Sequence, residues 1–307
     1  MKEGQEKELA IIMYHYVRDA DKTPFPKINA IGTDLFKNHI ERFKSEYEII
    51  SLEDVRQSVL GQKELPSKAC VFTFDDGLSD HYDSVFPILK KYGIKGVFFP
   101  ITMSLEGKVA NVHKVHFLLA KIGTKRLAEE YYEFIKKQNK TIQKEFALSD
   151  KEKRDDRYIY DDVLTVNLKI ILQTLPEEKK MEFLGAVFPK YIGDEREFCE
   201  NLYLNKREIA EMAEAGMTIG THGDRHLRLD ELSKNDMYEE IKKPKDILEN
   251  IINIPIYAIS YPHGNYNANT IAILEELGYD VALSTKLGIN GKNLERWALK
   301  RLNAKLI

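Results

Sequence analysis

Short apolar runs alternate with amphipathic stretches along most of the chain. Leu9–Tyr14 is apolar and predicts a strand ending at His15. Leu35, Phe36, His39, Ile40 and Phe43 have helical spacing and predict a helix over Thr33–Tyr47, with Thr33 as its N-cap. A short strand over Tyr47–Ile50 follows. Ser51-Leu52-Glu53-Asp54 then has the form of a capping box and opens a helix that Gly61 closes. Next come an apolar run through Val71-Phe72-Thr73-Phe74, a helix over Asp80–Tyr92 stopped by Gly93, and a strand over Gly96–Pro100. Strand and helix in regular succession predict a parallel sheet with right-handed crossovers.

Residues 104–204 break this rhythm. Val112–Lys121, Lys125–Gln138, Asp161–Leu175 and Glu177–Lys190 each predict a helix, and Lys140–Tyr160 is highly charged. No strand that could join a barrel is visible there, so the block reads as a helical insertion, either a lid or a subunit contact. The alternation resumes with a helix over Asn205–Ala215, capped by Asn205 with Glu208 at the third helical position and ended by Gly216. A strand over Met217–Thr221 follows, then a helix over Ser233–Ile252 that Pro244 is expected to kink or split. Ile256–Tyr261 predicts a strand, Ala268–Leu277 a helix stopped by Gly278, and Val281–Ser284 and Trp297–Leu302 the last strands. The expected fold class is α/β: a distorted (β/α) barrel of about seven strands. It makes one domain over 1–307, interrupted by the insertion 104–204.

Composition narrows the partners. Hydrophobic residues are 43% and charged residues 31%, ordinary for a globular protein, and the net charge of -3 offers no global field to attract nucleic acid. Cys70 and Cys199 lie far apart and suggest no disulfide framework; Cys70, inside an apolar run, reads as a buried thiol. Met1–Glu8 is charged and leads into only a short apolar run. It reads as neither signal peptide nor membrane span, and a cytoplasmic protein is expected.

The candidate chemistry starts at Val71-Phe72-Thr73-Phe74-Asp75-Asp76-Gly77, where a buried strand ends in two carboxylates. In a barrel, catalytic groups collect at that end of the strands. Successive strand residues face opposite ways, so Asp75 and Asp76 can do different jobs, and Gly77 permits a tight exit. Two aspartates alone are weak evidence and would read first as a solvated strand end before a turn. Thr218-Ile219-Gly220-Thr221-His222-Gly223-Asp224-Arg225-His226 changes the picture, because its two histidines four apart can meet on a helical turn or curled loop. Two neutral imidazoles and a carboxylate make a catalytic zinc site with a position left for water.

Thr73-Phe74-Asp75-Asp76-Gly77 followed by His222-x-x-x-His226 resembles the two leading motifs of the polysaccharide deacetylase family (carbohydrate esterase family 4), over roughly residues 8–103 and 205–303. The resemblance implies that Asp75 is the general base and that Asp76, His222 and His226 hold a divalent metal, zinc first, with cobalt or nickel as alternatives. The family also carries an Arg-Pro-Pro-Tyr-Gly-like turn whose amide helps bind the oxyanion and whose arginine orients the base. Here the turn reads Tyr261-Pro262-His263-Gly264, with Ser260 in the arginine's place and His263 in the tyrosine's. An oxyanion-binding amide near His263 is expected; the orientation of Asp75 is left open. The family's late Leu-x-His motif is missing, since no histidine follows His263. Some exopolysaccharide-modifying members place that general acid in an N-terminal Met-Tyr-His segment, as in a permuted barrel. Met13-Tyr14-His15 makes His15 the candidate here. His113 and His116 read as packing or surface residues, with a substrate contact from a lid as the second reading. His39 and His81 read as structural, and the lysine-rich runs near 136–153 and 240–245 as solvated faces.

The function expected from this resemblance is metal-dependent removal of an N-acetyl group from an amino sugar or saccharide. Hydrolysis of a small cyclic amide or ureide on the same barrel is one alternative, and a degenerate carbohydrate-binding protein is another. The expected partner is an N-acetylated saccharide, with no nucleic acid and no membrane span, and with self-association through the insertion.

Overall fold

The structure is a computed structural model and describes residues 7–149 and 161–307. Residues 1–6 of the charged start and 150–160 of the charged stretch Lys140–Tyr160 lie outside the described residues. The chain divides into two compact units. One takes in the chain up to Asp19, Asn29–Glu106 and Glu200–Ile307; the other holds Ala20–Ile28 and Gly107–Cys199.

The first unit is built on parallel strands: β1 (Glu8–Tyr14), the short β2 (Glu48–Ile49), β3 (Lys68–Asp76), β4 (Val97–Pro100), β5 (Thr218–Ile219), β6 (Ala258–Ser260), β7 (Val281–Leu287) and β8 (Leu299–Asn303). Their order is β5-β4-β3-β1-β8-β7-β6, with β2 on the flank of β3. A parallel bridge between Thr221 and Ile259 brings the two outer strands together, so the seven strands form a nearly closed barrel. The last strand pairs with the first through Ile12↔Leu302 and Met13↔Asn303.

Alternation along each strand sorts the core. Leu9, Ile11, Val71, Val97, Phe99, Leu283 and Leu299 share one buried cluster. Ala10, Ile12, Tyr14, Phe72, Phe74 and Phe98 belong to another, packed with the helices α1 (Thr33–Glu46), α9 (Lys206–Glu214), α10 (Lys234–Ile252) and α11 (Ala268–Glu276). Position parity therefore sends Thr73, Asp75 and Arg301 the same way as the first cluster.

The helix signals hold with local differences. Ser51 forms the expected capping box at α2 (Leu52–Val59), and Asn205 with Glu208 forms one at α9. Thr33 does not cap α1. Gly32 holds that position, and the Thr33 N–H and hydroxyl both donate to Asp19, at 2.9 Å each. A π-turn (His81–Val85) precedes α3 (Phe86–Tyr92), which Gly93 ends in the left-handed conformation. Pro244 lies inside α10 without splitting it.

The second unit is helical, with no strand among its described residues. The two helices expected over Val112–Lys121 and Lys125–Gln138 are present as the two arms of α4 (Asn111–Ile135), separated at Gly123, whose φ of 73 and ψ of 166 are not helical. A short α5 (Lys140–Glu145) was not expected; α6 (Val163–Thr174) and α7 (Glu177–Tyr191) were, and α8 (Glu195–Leu202) was not. Leu118, Leu127, Tyr131, Leu168, Phe183 and Phe188 form a core of its own. The Ala20–Ile28 segment joins it through Phe25, edge-on to Phe117 and Phe198. Among the described residues no helix is long and apolar enough to cross a membrane.

Candidate metal and catalytic site

The C-terminal ends of the barrel strands gather the candidate residues. β3 runs through Asp75 and Asp76 in register with Phe99 and Pro100 of β4. Gly77 then leaves at φ 68, and a Cβ there would lie 2.5 Å from the Pro100 Cβ, so only glycine fits the turn. Asp76 itself has φ 79, unusual for a side-chain-bearing residue, which breaks the strand's alternation and re-aims its carboxylate.

His222 and His226 follow β5 on a curled loop. Their rings meet edge to face with centroids 4.9 Å apart, and the Nε2 of each lies 3.6 Å from Asp76 Oδ1. One ligand atom from each of Asp76, His222 and His226 falls within 4.8 Å of the others. The donor chemistry fits a divalent ion. His222 Nδ1 donates to the Ser260 carbonyl at 2.6 Å, which fixes the tautomer and turns a bare Nε2 lone pair toward Asp76. All three side chains are 9% exposed or less, so little water competes for the site.

Asp75 faces a different set of partners. Arg301, on β8 and fully buried, donates through Nη1 to Oδ1 at 2.9 Å and pairs through Nη2 with Oδ2 at 2.8 Å. Arg301 Nη2 also donates to Ser260 Oγ at 2.9 Å, and Ser260 in turn donates to Asp75 Oδ2 at 3.1 Å. The guanidinium is itself held by Nε donating to the Ser284 carbonyl at 2.9 Å. Burial alone would raise the Asp75 pKa; the Arg301 charge, then His222, the Arg301 hydrogen bond and His15 outweigh it and hold the carboxyl below its usual value.

His15 stands just past β1, half-buried. Burial lowers its pKa, against the opposing pull of Asp76 and Asp75 and with Lys305 and Arg301 adding to the lowering. His81 Nε2 donates to the His15 carbonyl at 2.9 Å, and Asp80 accepts from the Val17 N–H at 3.1 Å and from Arg18 Nε at 2.7 Å. The residues just after Gly77 thus clamp the segment that carries His15. Pro262-His263-Gly264 makes the expected sharp turn with His263 at φ 58, and the His263 ring lies 4.5 Å from that of His226. His113 and His116 face each other on α4 in the helical unit, centroids 6.1 Å apart.

The residue that sequence reasoning missed is Arg301. Its signal was present: an arginine in phase with Leu299 on a strand otherwise reading apolar-inward. Tyr16 is 5% exposed, and burial with the Asp76 charge keeps its phenol protonated.

A family model for polysaccharide deacetylase matches residues 62–146 and 150–282. The chain belongs to the polysaccharide deacetylase family. Enzymes of this family are metal-dependent hydrolases that remove N-acetyl groups from saccharides. YxkH of Bacillus subtilis (strain 168), provisionally named a polysaccharide deacetylase, is 22% identical over 304 residues, covering 98% of this chain and 73% of that protein. The poly-beta-1,6-N-acetyl-D-glucosamine N-deacetylase of Escherichia coli (strain K12) is 42% identical over 55 residues, which is 18% of this chain and 8% of that one. Among solved structures, the Streptococcus pyogenes deacetylase PplD in complex with acetate shares the fold with a TM-score of 0.61 at 21% identity, covering 97% of this chain and 92% of that one. His15 and Arg301 both lie outside the segments matched by the polysaccharide deacetylase model.

Proposed function

We propose that this polysaccharide deacetylase removes the N-acetyl group from N-acetylglucosamine units of a saccharide, using zinc held by Asp76, His222 and His226. One observation carries the reading: an Asp/His/His cluster sits beside a second aspartate that is held ionised by a buried arginine, all on one rim of the barrel. The E. coli relative's named substrate supports the choice of sugar. Two imidazoles and one carboxylate suit zinc and leave room for water and substrate. When bound, the ion polarises the amide carbonyl and lowers the pKa of water.

The chain's own residues do the rest. Asp75, kept ionised and fixed in orientation by Arg301 and Ser260, takes the proton from the attacking water. A turn amide near His263 donates to the developing oxyanion. His15, on the neighbouring strand end, gives a proton to the departing amine, which would otherwise have to leave as an anion. Arg301 takes over from β8 the orienting duty for which the family's turn motif uses its own arginine. The chain acts as one deacetylase barrel interrupted by 104–204, in the cytoplasm, and can self-associate through the insertion.

The test is acetate release from free N-acetylglucosamine, a sugar nucleotide and short oligosaccharides with zinc supplied. Release is expected from at least one, and Asp75→Asn should abolish it while leaving bound metal in place. Loss of metal with Asp75→Asn would mean that the two aspartates' roles are exchanged. No release from a metal-filled protein would favour a cyclic amide or ureide substrate. A protein that takes up no metal would favour a non-catalytic saccharide-binding role.

A further inference from the structure

Glu240 is a buried carboxylate that plays no part in the chemistry above. It lies on α10 with a side-chain exposure of 0%. Its Oε1 accepts from the Arg225 N–H at 2.7 Å and from the Leu227 N–H at 3.4 Å, and its Oε2 accepts from Arg225 Nε at 3.0 Å. The two amides flank His226, whose φ is 60. Backbone N–H groups around a left-handed residue form a concavity that takes an anion. For a side-chain-bearing residue that conformation is uncommon and persists only where its surroundings enforce it. Gly223, between the two histidines, closes on the same carboxylate. Its φ is +73, and a Cβ there would lie 2.9 Å from Glu240 Oε1. The loop's other edge is tied by Asp224, which accepts from Thr102 Oγ1 at 2.7 Å and pairs with Lys243 at 2.9 Å.

We propose that Glu240 is a positioning residue for the metal site: its carboxylate fills the backbone nest around His226 and holds that histidine in the left-handed conformation that aims Nε2 at Asp76. The inference rests on the reading of Asp76, His222 and His226 as the ligands. It adds a carboxylate that touches neither metal nor substrate and acts through the backbone of one ligand.

The test measures zinc affinity by competition with a chromophoric chelator, and the melting temperature of the metal-free protein, for the wild type and for Glu240→Leu, Glu240→Gln and Arg225→Met. Glu240→Leu should weaken zinc binding by about 10–100-fold, the usual effect of losing a partner that orients a ligand. Glu240→Gln keeps an acceptor for the amides and should fall between the wild type and the leucine variant. Arg225→Met leaves both amides in place and should bind zinc as the wild type does, whatever happens to its melting temperature. Wild-type affinity in both Glu240 variants would overturn the inference, as would an Arg225→Met loss equal to that of Glu240→Leu. Should Glu240→Leu fail to fold, Glu240→Gln decides through hydrogen exchange at the Arg225 and Leu227 amides of the metal-free protein. Faster exchange is expected, and unchanged exchange with unchanged affinity overturns the inference. A wild type that binds no zinc would instead remove the ligand reading beneath it.

Discussion

Asp75 and Arg301 bury opposite charges inside the barrel, 1% and 0% exposed, where neither charge would be stable alone. Removing one partner of such a pair typically costs about 3–5 kcal/mol, because the other is left charged and dry. Arg301→Met should therefore destabilise the protein by about that much in urea unfolding. Adding Asp75→Asn to it should recover part of the loss, giving a clear coupling in the double-mutant cycle. Additive losses would mean that the contact contributes little. Arg301→Lys keeps the charge but not the planar fork that meets both oxygens and Ser260. It should retain more stability than Arg301→Met while still lowering kcat. His15→Ala, removing the proposed proton donor, should lower kcat by roughly 10²–10⁴-fold. An unchanged kcat would move that role elsewhere.

Helix starts in this chain show when local sequence is sufficient. Ser51 and Asn205 cap α2 and α9 through atoms three residues away, so their roles were legible in the sequence alone. Ser51→Ala should cost about 1 kcal/mol, read as a lower denaturation midpoint with an unchanged m-value. Thr33 looked the same in the sequence, but Asp19, fourteen positions earlier, claims both its donors, and a contact at that distance has no local signature. Pro244 misled in the other direction. It removes one backbone bond from α10. Met237, Ile241, Pro244 and Leu248 lie buried on that helix, and their packing outweighs the missing bond.

Stability of the whole molecule should depend on pH through histidines buried in neutral form. Burial lowers the pKa of His39 and His81, which are 4% and 0% exposed. The unfolded chain titrates these groups near 6.5. Below about that pH the unfolded state takes up protons that the folded state refuses. The stability from these groups is therefore complete above the unfolded value and is lost as pH falls through the folded ones. Thermal melts from pH 8 to 5 should show that decline, and His39→Gln should make it shallower. A flat profile would show that these imidazoles stay accessible to protons. Zinc should act in the opposite sense, raising the melting temperature by mass action, worth about 2.7 kcal/mol at a hundredfold excess over Kd. Asp76→Asn should remove the shift.

Sequence alone determined the alternation of strand and helix, the helical block between the two halves, and the strand ends bearing Asp75, Asp76, His222 and His226. Each of these follows from short-range rules: period-2 and period-3.6 patterning, caps, glycine turns, and motifs whose residues are near neighbours in the chain. Tertiary structure decided what faces what. Arg301 reaches Asp75 only because the strand order sets the last strand beside the first, one strand away from β3, with its inward phase turned toward Asp75. Glu240 reaches the loop around His226 only because α10 packs against this barrel. Such pairings depend on how strands and helices come together in three dimensions, and no spacing along the chain records them.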